Sequence, residues 1–211
     1  MKIGIIGSGD VGKKLGDGFV DLGNSVKIGT RDPGKLKEWV AKSTDRASAG
    51  SFFDAAKFGD VIVIATSWSG IQNAVEMAGK ENMAGKVVID VTNPLDFSTM
   101  PPRLAVGHID SGGEILQRLL PSARVVKAFN IVDNPHMYKP NFSEGQPTMF
   151  ICGNDDSAKK VVTDILTAFG WESIDIGGIE GSRLLEPLAM LWIAYYFRTN
   201  TGNHAFKLLR K

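Results

Sequence analysis

The sequence predicts a doubly wound α/β fold: a mostly parallel sheet with helices on both faces and a small C-terminal α/β portion. Three observations carry this expectation. Short Val- and Ile-rich runs alternate with helical patterns over the first two thirds of the 211 residues. The runs show little polar alternation, as strands covered on both faces should. A glycine-rich turn joins the first run directly to a helical pattern.

The elements follow in order. A first strand is read at residues 2–6. Val11, Leu15, Phe19 and Leu22 then recur at helical spacing, and Gly23 stands where a helix C-terminal cap belongs. Further strands are read at 25–30, more weakly at 47–49, and at 61–66, 87–91 and 125–129. After the second strand, Leu36, Trp39 and Val40 make an apolar stripe, with Asp32 placed as N-cap and Pro33 at the first helical position. Ser111-Gly112-Gly113-Glu114 has capping-box spacing and opens a helix with Ile115, Leu116 and Leu119, which Pro121 stops. Residues 133–147 contain prolines and no period, and are read as a long functional loop. A soft boundary is placed there, dividing a nucleotide-binding part at 1–135 from a smaller part at 136–211 that completes a cleft. Beyond it come a strand at 148–152, a helix carrying Val161, Val162, Ile165, Leu166 and Phe169, a strand near 171–176, and an apolar helix from Ser182. Pro187 within that helix implies a kink or a later start.

Composition narrows the function. With 43% hydrophobic and 22% charged residues the chain reads as globular rather than disordered. A net charge of +1, with Lys and Arg scattered, leaves no footprint for nucleic acid or a membrane surface, so small molecules are the expected partners. The first strand begins next to Met1, and the longest apolar run, 188–197, is too short to span a bilayer, so the expected compartment is cytoplasmic. Cys152, the single cysteine, sits in an apolar run and reads as a buried hydrophobe. No spacing suggests a metal site or a nucleophilic triad. His108, His136 and His204 have no visible partner and are read as structural or solvent-exposed.

Gly7-Ser8-Gly9-Asp10-Val11-Gly12 fits the G-x-G-x-x-G fingerprint of a Rossmann-type dinucleotide site, and it lies between a strand and a helix as that site requires. The helix N-terminus would face the pyrophosphate. About twenty residues on, an NAD site places an acid for the ribose hydroxyls. Here the window offers Thr30, Arg31 and Lys35, a hydroxyl and two cations that suit a 2′-phosphate and hence NADP(H). The counter-reading makes Asp32 the ribose acid; as an N-cap before Pro33 it has another employment. At later strand ends, Thr66, Ser67 and Trp68, then Thr92, Asn93 and Pro94, then Lys127, Ala128, Phe129 and Asn130, are candidate contacts. Trp68 is suited to stack on a flat ring. No catalytic residue is singled out.

With those residues read, the chain resembles the coenzyme F420-dependent NADP reductase family, which is related to the cytosolic domain of STEAP metalloreductases. The resemblance rests on residues 3–12, on Gly29-Thr30-Arg31 with Lys35, on Val125-Val126-Lys127-Ala128-Phe129-Asn130, and on Ser182-Arg183-Leu184-Leu185-Glu186. It implies NADP(H) across the strand ends, with its 2′-phosphate held by Thr30, Arg31 and Lys35. It also implies direct hydride transfer to a second ring, F420 or a flavin such as FMN or FAD, in a cleft beside the C-terminal part, and a homodimer. Loop 133–147 and the aromatic helix with Trp192, Tyr195 and Tyr196 are candidate walls on the acceptor side, although the helix reads first as core or subunit contact. Two other functions remain open on sequence alone: a hydroxy-acid or imine dehydrogenase, and a non-catalytic NADPH-binding redox sensor.

Overall fold

A computed structural model describes residues 1–43 and 45–211. Apolar runs become the strands β1 (Lys2–Ile6), β2 (Ser25–Gly29), β3 (Ala47–Gly50), β4 (Val61–Ile64), β5 (Val87–Asp90), β8 (Arg124–Lys127), β9 (Thr148–Gly153) and β10 (Glu172–Asp175). They form one sheet in the order β10-β9-β8-β5-β4-β1-β2-β3. All neighbours pair in parallel except β8 and β9, so β9 and β10 run against the rest. The strand order reverses between β1 and β4, which opens a crevice at their carboxyl ends. A separate antiparallel pair, β6 (Leu95–Asp96) with β7 (Arg103–Leu104), stands beyond β5.

Alternate strand residues enter two apolar layers. Ile3, Ile5, Val61, Val63 and Val126 meet α1 (Asp10–Asp21) and α6 (Asp156–Phe169) through Leu15, Phe19, Val162 and Ile165. Ile6, Ile62, Ile64, Val88 and Val125 meet α3 (Phe52–Phe58), α4 (Ile71–Ala78) and α5 (Gly112–Leu119) through Phe52, Ala55, Val75 and Leu116. This is the two-faced burial that the unbroken Val and Ile runs foretell. The sheet crosses the sequence boundary near 135 without a break, so the C-terminal part extends the same sheet.

Local chemistry explains most element ends. Asp32 accepts from the Gly34 N–H at 3.0 Å and caps a 3₁₀ turn, Pro33–Leu36, which leads into α2 (Lys37–Lys42). Ser51 and Asp54 form a full capping box for α3. At α5 the box is half-made: Ser111 Oγ accepts from the Glu114 N–H at 3.2 Å, but the Glu114 carboxylate turns to Arg183 at 2.8 and 2.5 Å. The last helix, α7 (Ser182–Thr199), starts at Ser182 and runs on through the exposed Pro187.

The loop at 133–147 does not line a strand-end cleft. Tyr138 packs edge-on against Phe169, the Trp171 indole donates to Met137 O at 3.0 Å, and Lys139 pairs with Asp21 of α1 at 2.7 Å. The C-terminal tail folds back against α7: the Trp192 indole donates to His204 O at 2.9 Å and stacks on the His204 ring at 4.3 Å. Trp192 is thereby core, and His204 serves packing. His136 contacts Asn203, and His108 sits at a positive φ of 63° in a turn. None of the described helices is long and apolar enough to cross a membrane.

Candidate functional site

The turn after β1 shows why glycine is needed twice. Gly7 has φ 126°, and a side chain there would lie 2.3 Å from Ala65 O; one at Gly12 would lie 2.2 Å from Gly7 O. Gly9 differs, because its missing side chain points into open space. No side chain caps α1, whose first backbone bond is Lys13 N–H to Gly9 O at 3.0 Å. The N–H groups ahead of Lys13 are therefore presented outward at the positive end of the helix dipole.

Beside this turn is a cleft of about 270 Å³, lined by Gly7, Ser8, Gly9, Thr30, Arg31, Asp32 and Lys35 on one side. Phe52, Gly70, Asn73 and Ala74 line the other side. Ser8 donates to Thr30 Oγ1 at 3.0 Å, and the Asp32 N–H donates to the same oxygen at 3.3 Å. The Thr30 hydroxyl proton is left for an outside acceptor. Arg31 and Lys35 make no side-chain hydrogen bond or ion pair with any described residue, and the Asp32 carboxylate is spent on Gly34. The result is a hydroxylated corner with a net positive charge, two cations against the one carboxylate of Asp32, and no salt bridge joins them.

A second cleft, about 280 Å³, lies over the ends of β4 and β5. Its walls are Val11, Thr66, Ser67, Trp68, Val91, Thr92, Asn93, Leu95 and Phe97 among others, and none of its lining residues carries an acidic or basic side chain. Ala65, Thr66 and Ser67 line both clefts, so the two meet at the end of β4. Together they make one elongated groove with a cationic end and a neutral, partly aromatic end. The buried Thr66 hydroxyl has no partner. Asn130 donates to Asn93 Oδ1 and to Leu185 O, both at 3.0 Å, while its own buried Oδ1 is unpartnered. Unsatisfied buried polar atoms are rare, and the Thr66 hydroxyl, which lines both clefts, points to a ligand that supplies its missing partner, whereas Asn130 lines neither cleft.

The structure thus brings Gly7, Ser8, Gly9, Thr30, Arg31, Lys35, Thr66, Ser67, Trp68, Val11 and Asn93 to one groove. Asp10 and Gly12 belong to the first turn of α1, where only backbone faces the turn. Ala128 is different: it is fully buried and its N–H is committed to Asp90 O at 3.0 Å, so it reaches neither cleft. Sequence reasoning missed Phe52, Asn73, Leu95 and Phe97, which arrive from elements distant in the chain; the capping signal at Ser51 was the one local hint of α3.

Behind the second cleft lies a charged cluster. Asp90 and Lys127 are register partners at the ends of β5 and β8, and α7 delivers Glu186 to them. The Lys127 ammonium lies 2.8 Å from Asp90 Oδ2, 3.0 Å from Glu186 Oε1 and 2.8 Å from Thr92 O. Burial pushes the Lys127 pKa down, but the Asp90 and Glu186 carboxylates more than offset it, and the net direction is upward. A charged residue closing each of two apolar strands was the readable signal for this pair. Nearby, burial raises the Cys152 thiol to about 11, so the cysteine is held protonated and inert.

Comparison with known proteins agrees with this geometry. Residues 2–94 match the family described as NADP oxidoreductase, coenzyme F420-dependent. The chain is 31% identical over 214 residues to the F420-dependent NADP reductase of Methanocaldococcus jannaschii, covering 92% of this chain and 91% of that one. It is 31% identical over 192 residues to the metalloreductase STEAP3 of Rattus norvegicus, covering 90% of this chain but 37% of that longer protein. A crystal structure from Arthrobacter sp. FB24, provisionally assigned as an F420-dependent NADP-reductase, superimposes over 100% of both chains with a TM-score of 0.95 and 37% identity.

Proposed function

This chain belongs to the coenzyme F420-dependent NADP oxidoreductase family, and from that premise we propose that it binds NADP(H) along the groove and passes hydride between the nicotinamide and a ring acceptor, F420 or a flavin. The observation that carries the reading is the composition of the two ends. The cationic corner suits a 2′-phosphate: Thr30 donates its hydroxyl proton, Arg31 offers a planar fork, and Lys35 adds charge. The N–H groups of Asp10 and Val11, unpaired at the start of α1, suit the pyrophosphate. Trp68, Thr66, Ser67 and Asn93 then hold and orient the nicotinamide, with Asn130 supporting Asn93 from behind.

The coenzyme, when bound, supplies the hydride. The residues of the second cleft contribute position and exclusion of water rather than a proton, because none of them is an acid or base. That fits transfer to a conjugated ring, whose reduced form takes its proton from solvent. Reduction of a carbonyl is less well served, because the charge developing on oxygen calls for an acid at the reacting atom and the polar lining offers only hydroxyl, amide and indole groups. Leu95 and Phe97 offer the apolar wall on the acceptor's side. Mixing the protein with NADPH and either F420 or FMN should deplete the nicotinamide absorbance band; no oxidation with any ring acceptor contradicts the proposal.

We further propose a homodimer formed through α7. Leu184, Leu188, Leu191 and Tyr195 repeat at helical spacing along one face, and Leu184 and Leu191 are 68% and 59% exposed. An apolar stripe of this length on a helix suits a matching stripe on a second copy. A cytoplasmic setting fits the single, buried, unpaired Cys152.

A further inference from the structure

Lys127, Asp90 and Glu186 are among the most deeply buried side chains of the protein, at 0%, 0% and 1% exposure. One ammonium and two carboxylates leave a formal excess of one negative charge in the interior. The α5 N-terminus compensates it: Glu186 Oε2 accepts from the Gly112 N–H and Oε1 from the Gly113 N–H, both at 3.0 Å. Buried ion pairs of this kind add little net stability compared with well-packed apolar side chains, so their use is better sought in geometry.

The geometry converges on the wall of the second cleft. Lys127 holds Thr92 O at 2.8 Å, while Asp90 Oδ1 takes the Thr92 N–H at 2.9 Å and the Thr92 hydroxyl at 2.7 Å. Thr92 is thus gripped on both sides of its backbone where the chain leaves β5. Beside Glu186, Leu185 O accepts from Asn130, which is bonded to Asn93. A side chain at Gly112 would lie 3.0 Å from Glu186 Oε1 and 3.1 Å from the Trp68 ring, so Trp68 rests on the same helix end. Three walls of that cleft, Trp68, Thr92 and Asn93, are tied to one buried cluster.

We propose that Glu186 is a positioning residue for the nicotinamide half of the coenzyme, fixing through Lys127 and the α5 N-terminus the wall against which that ring is held. This rests on the NADP(H) reading above. Glu186→Gln keeps the shape of the side chain but removes its charge and turns an amide NH₂ toward groups that are all donors, so the grip on Lys127 loosens. The cationic corner at Thr30, Arg31 and Lys35 is untouched.

The test compares two ligands on the full chain by calorimetry: NADPH, and 2′,5′-ADP, which carries only the phosphate end. In E186Q the affinity for 2′,5′-ADP should be unchanged, while that for NADPH falls by about tenfold, the loss of one charge-assisted hydrogen bond. The fluorescence of bound NADPH should also move toward that of the free coenzyme. Equal weakening of both ligands, or of neither, overturns the proposal. Glu186→Asp, which keeps the charge but draws it back by one methylene from Lys127 and the α5 N-terminus, should show the same selectivity at smaller size and decides the matter if E186Q fails to fold. If the unaltered protein binds 2′,5′-ADP, the coenzyme reading stands whatever the variants do; if it binds neither ligand, both fall.

Discussion

Replacing Arg31 by Ala separates coenzyme recognition from folding. Arg31 is exposed beyond the end of β2 and makes no side-chain bond to any described residue, so its loss should change stability by no more than about 0.5 kcal/mol. A hydrogen bond to a charged group contributes about 1.5–3 kcal/mol. The rim of this cleft is wet, which places the effect near ~2 kcal/mol, or roughly 30-fold in affinity. Thr30 and Lys35 remain, so binding weakens without vanishing. Calorimetry should show NADPH weakened by that factor and NADH almost unaffected, with the melting temperature unchanged. The salt dependence of NADPH binding should also flatten, because one cation no longer meets the 2′-phosphate. Equal weakening of NADPH and NADH, or no change in either, would refute the assignment of this corner.

Other positions give independent tests. Gly9→Val adds a side chain that meets nothing within 4 Å, on a backbone at φ −72° that valine tolerates, so the melting temperature should hold while coenzyme affinity falls by about 100-fold. Lys127→Met strands two buried carboxylates and should cost about 3–5 kcal/mol, read by denaturant unfolding. Since the folded Lys127 pKa lies above the ordinary 10.5, its stabilisation is whole below about that pH and is lost as pH rises through the folded value; an alkaline melt steeper than that of the Met variant checks this. Leu191→Glu puts a charge into the proposed subunit contact and should shift sedimentation from dimer to monomer without loss of helix content, whereas an unchanged dimer removes α7 from the interface.

The parts of the molecule that were readable in the sequence are those set by local rules. Strands β1, β4 and β5 are buried along nearly their whole length and appear as apolar runs, while β2 is marked by Val26 and Ile28 around the half-buried Lys27, and β8 by Val125 and Val126. The cationic corner was readable because backbone, glycine and strand-end residues create it within one βαβ unit. Helix α3 escaped because seven residues are too few to show a period, and only its capping box marked it. The apolar side of the second cleft escaped for a different reason: Leu95 and Phe97 come from a two-residue strand and its turn, placed by tertiary packing alone. Loop 133–147 looked functional because it lacked a period, yet Met137 and Tyr138 show it sealing the layer between α1 and α6. Glu186 reads as a helix-start residue in sequence, and its role depends on meeting Lys127 across the fold.

A crystal structure of the protein soaked with NADP⁺ tests the central claim most directly. The coenzyme should run from Thr30, Arg31 and Lys35, past the Gly9 turn, to Trp68 and Asn93, with its 2′-phosphate in hydrogen-bond reach of the Arg31 guanidinium. A coenzyme lying elsewhere, such as the apolar hollow between Phe19, Leu22 and Ile165, or one bound with its 2′-phosphate turned to solvent, would contradict it.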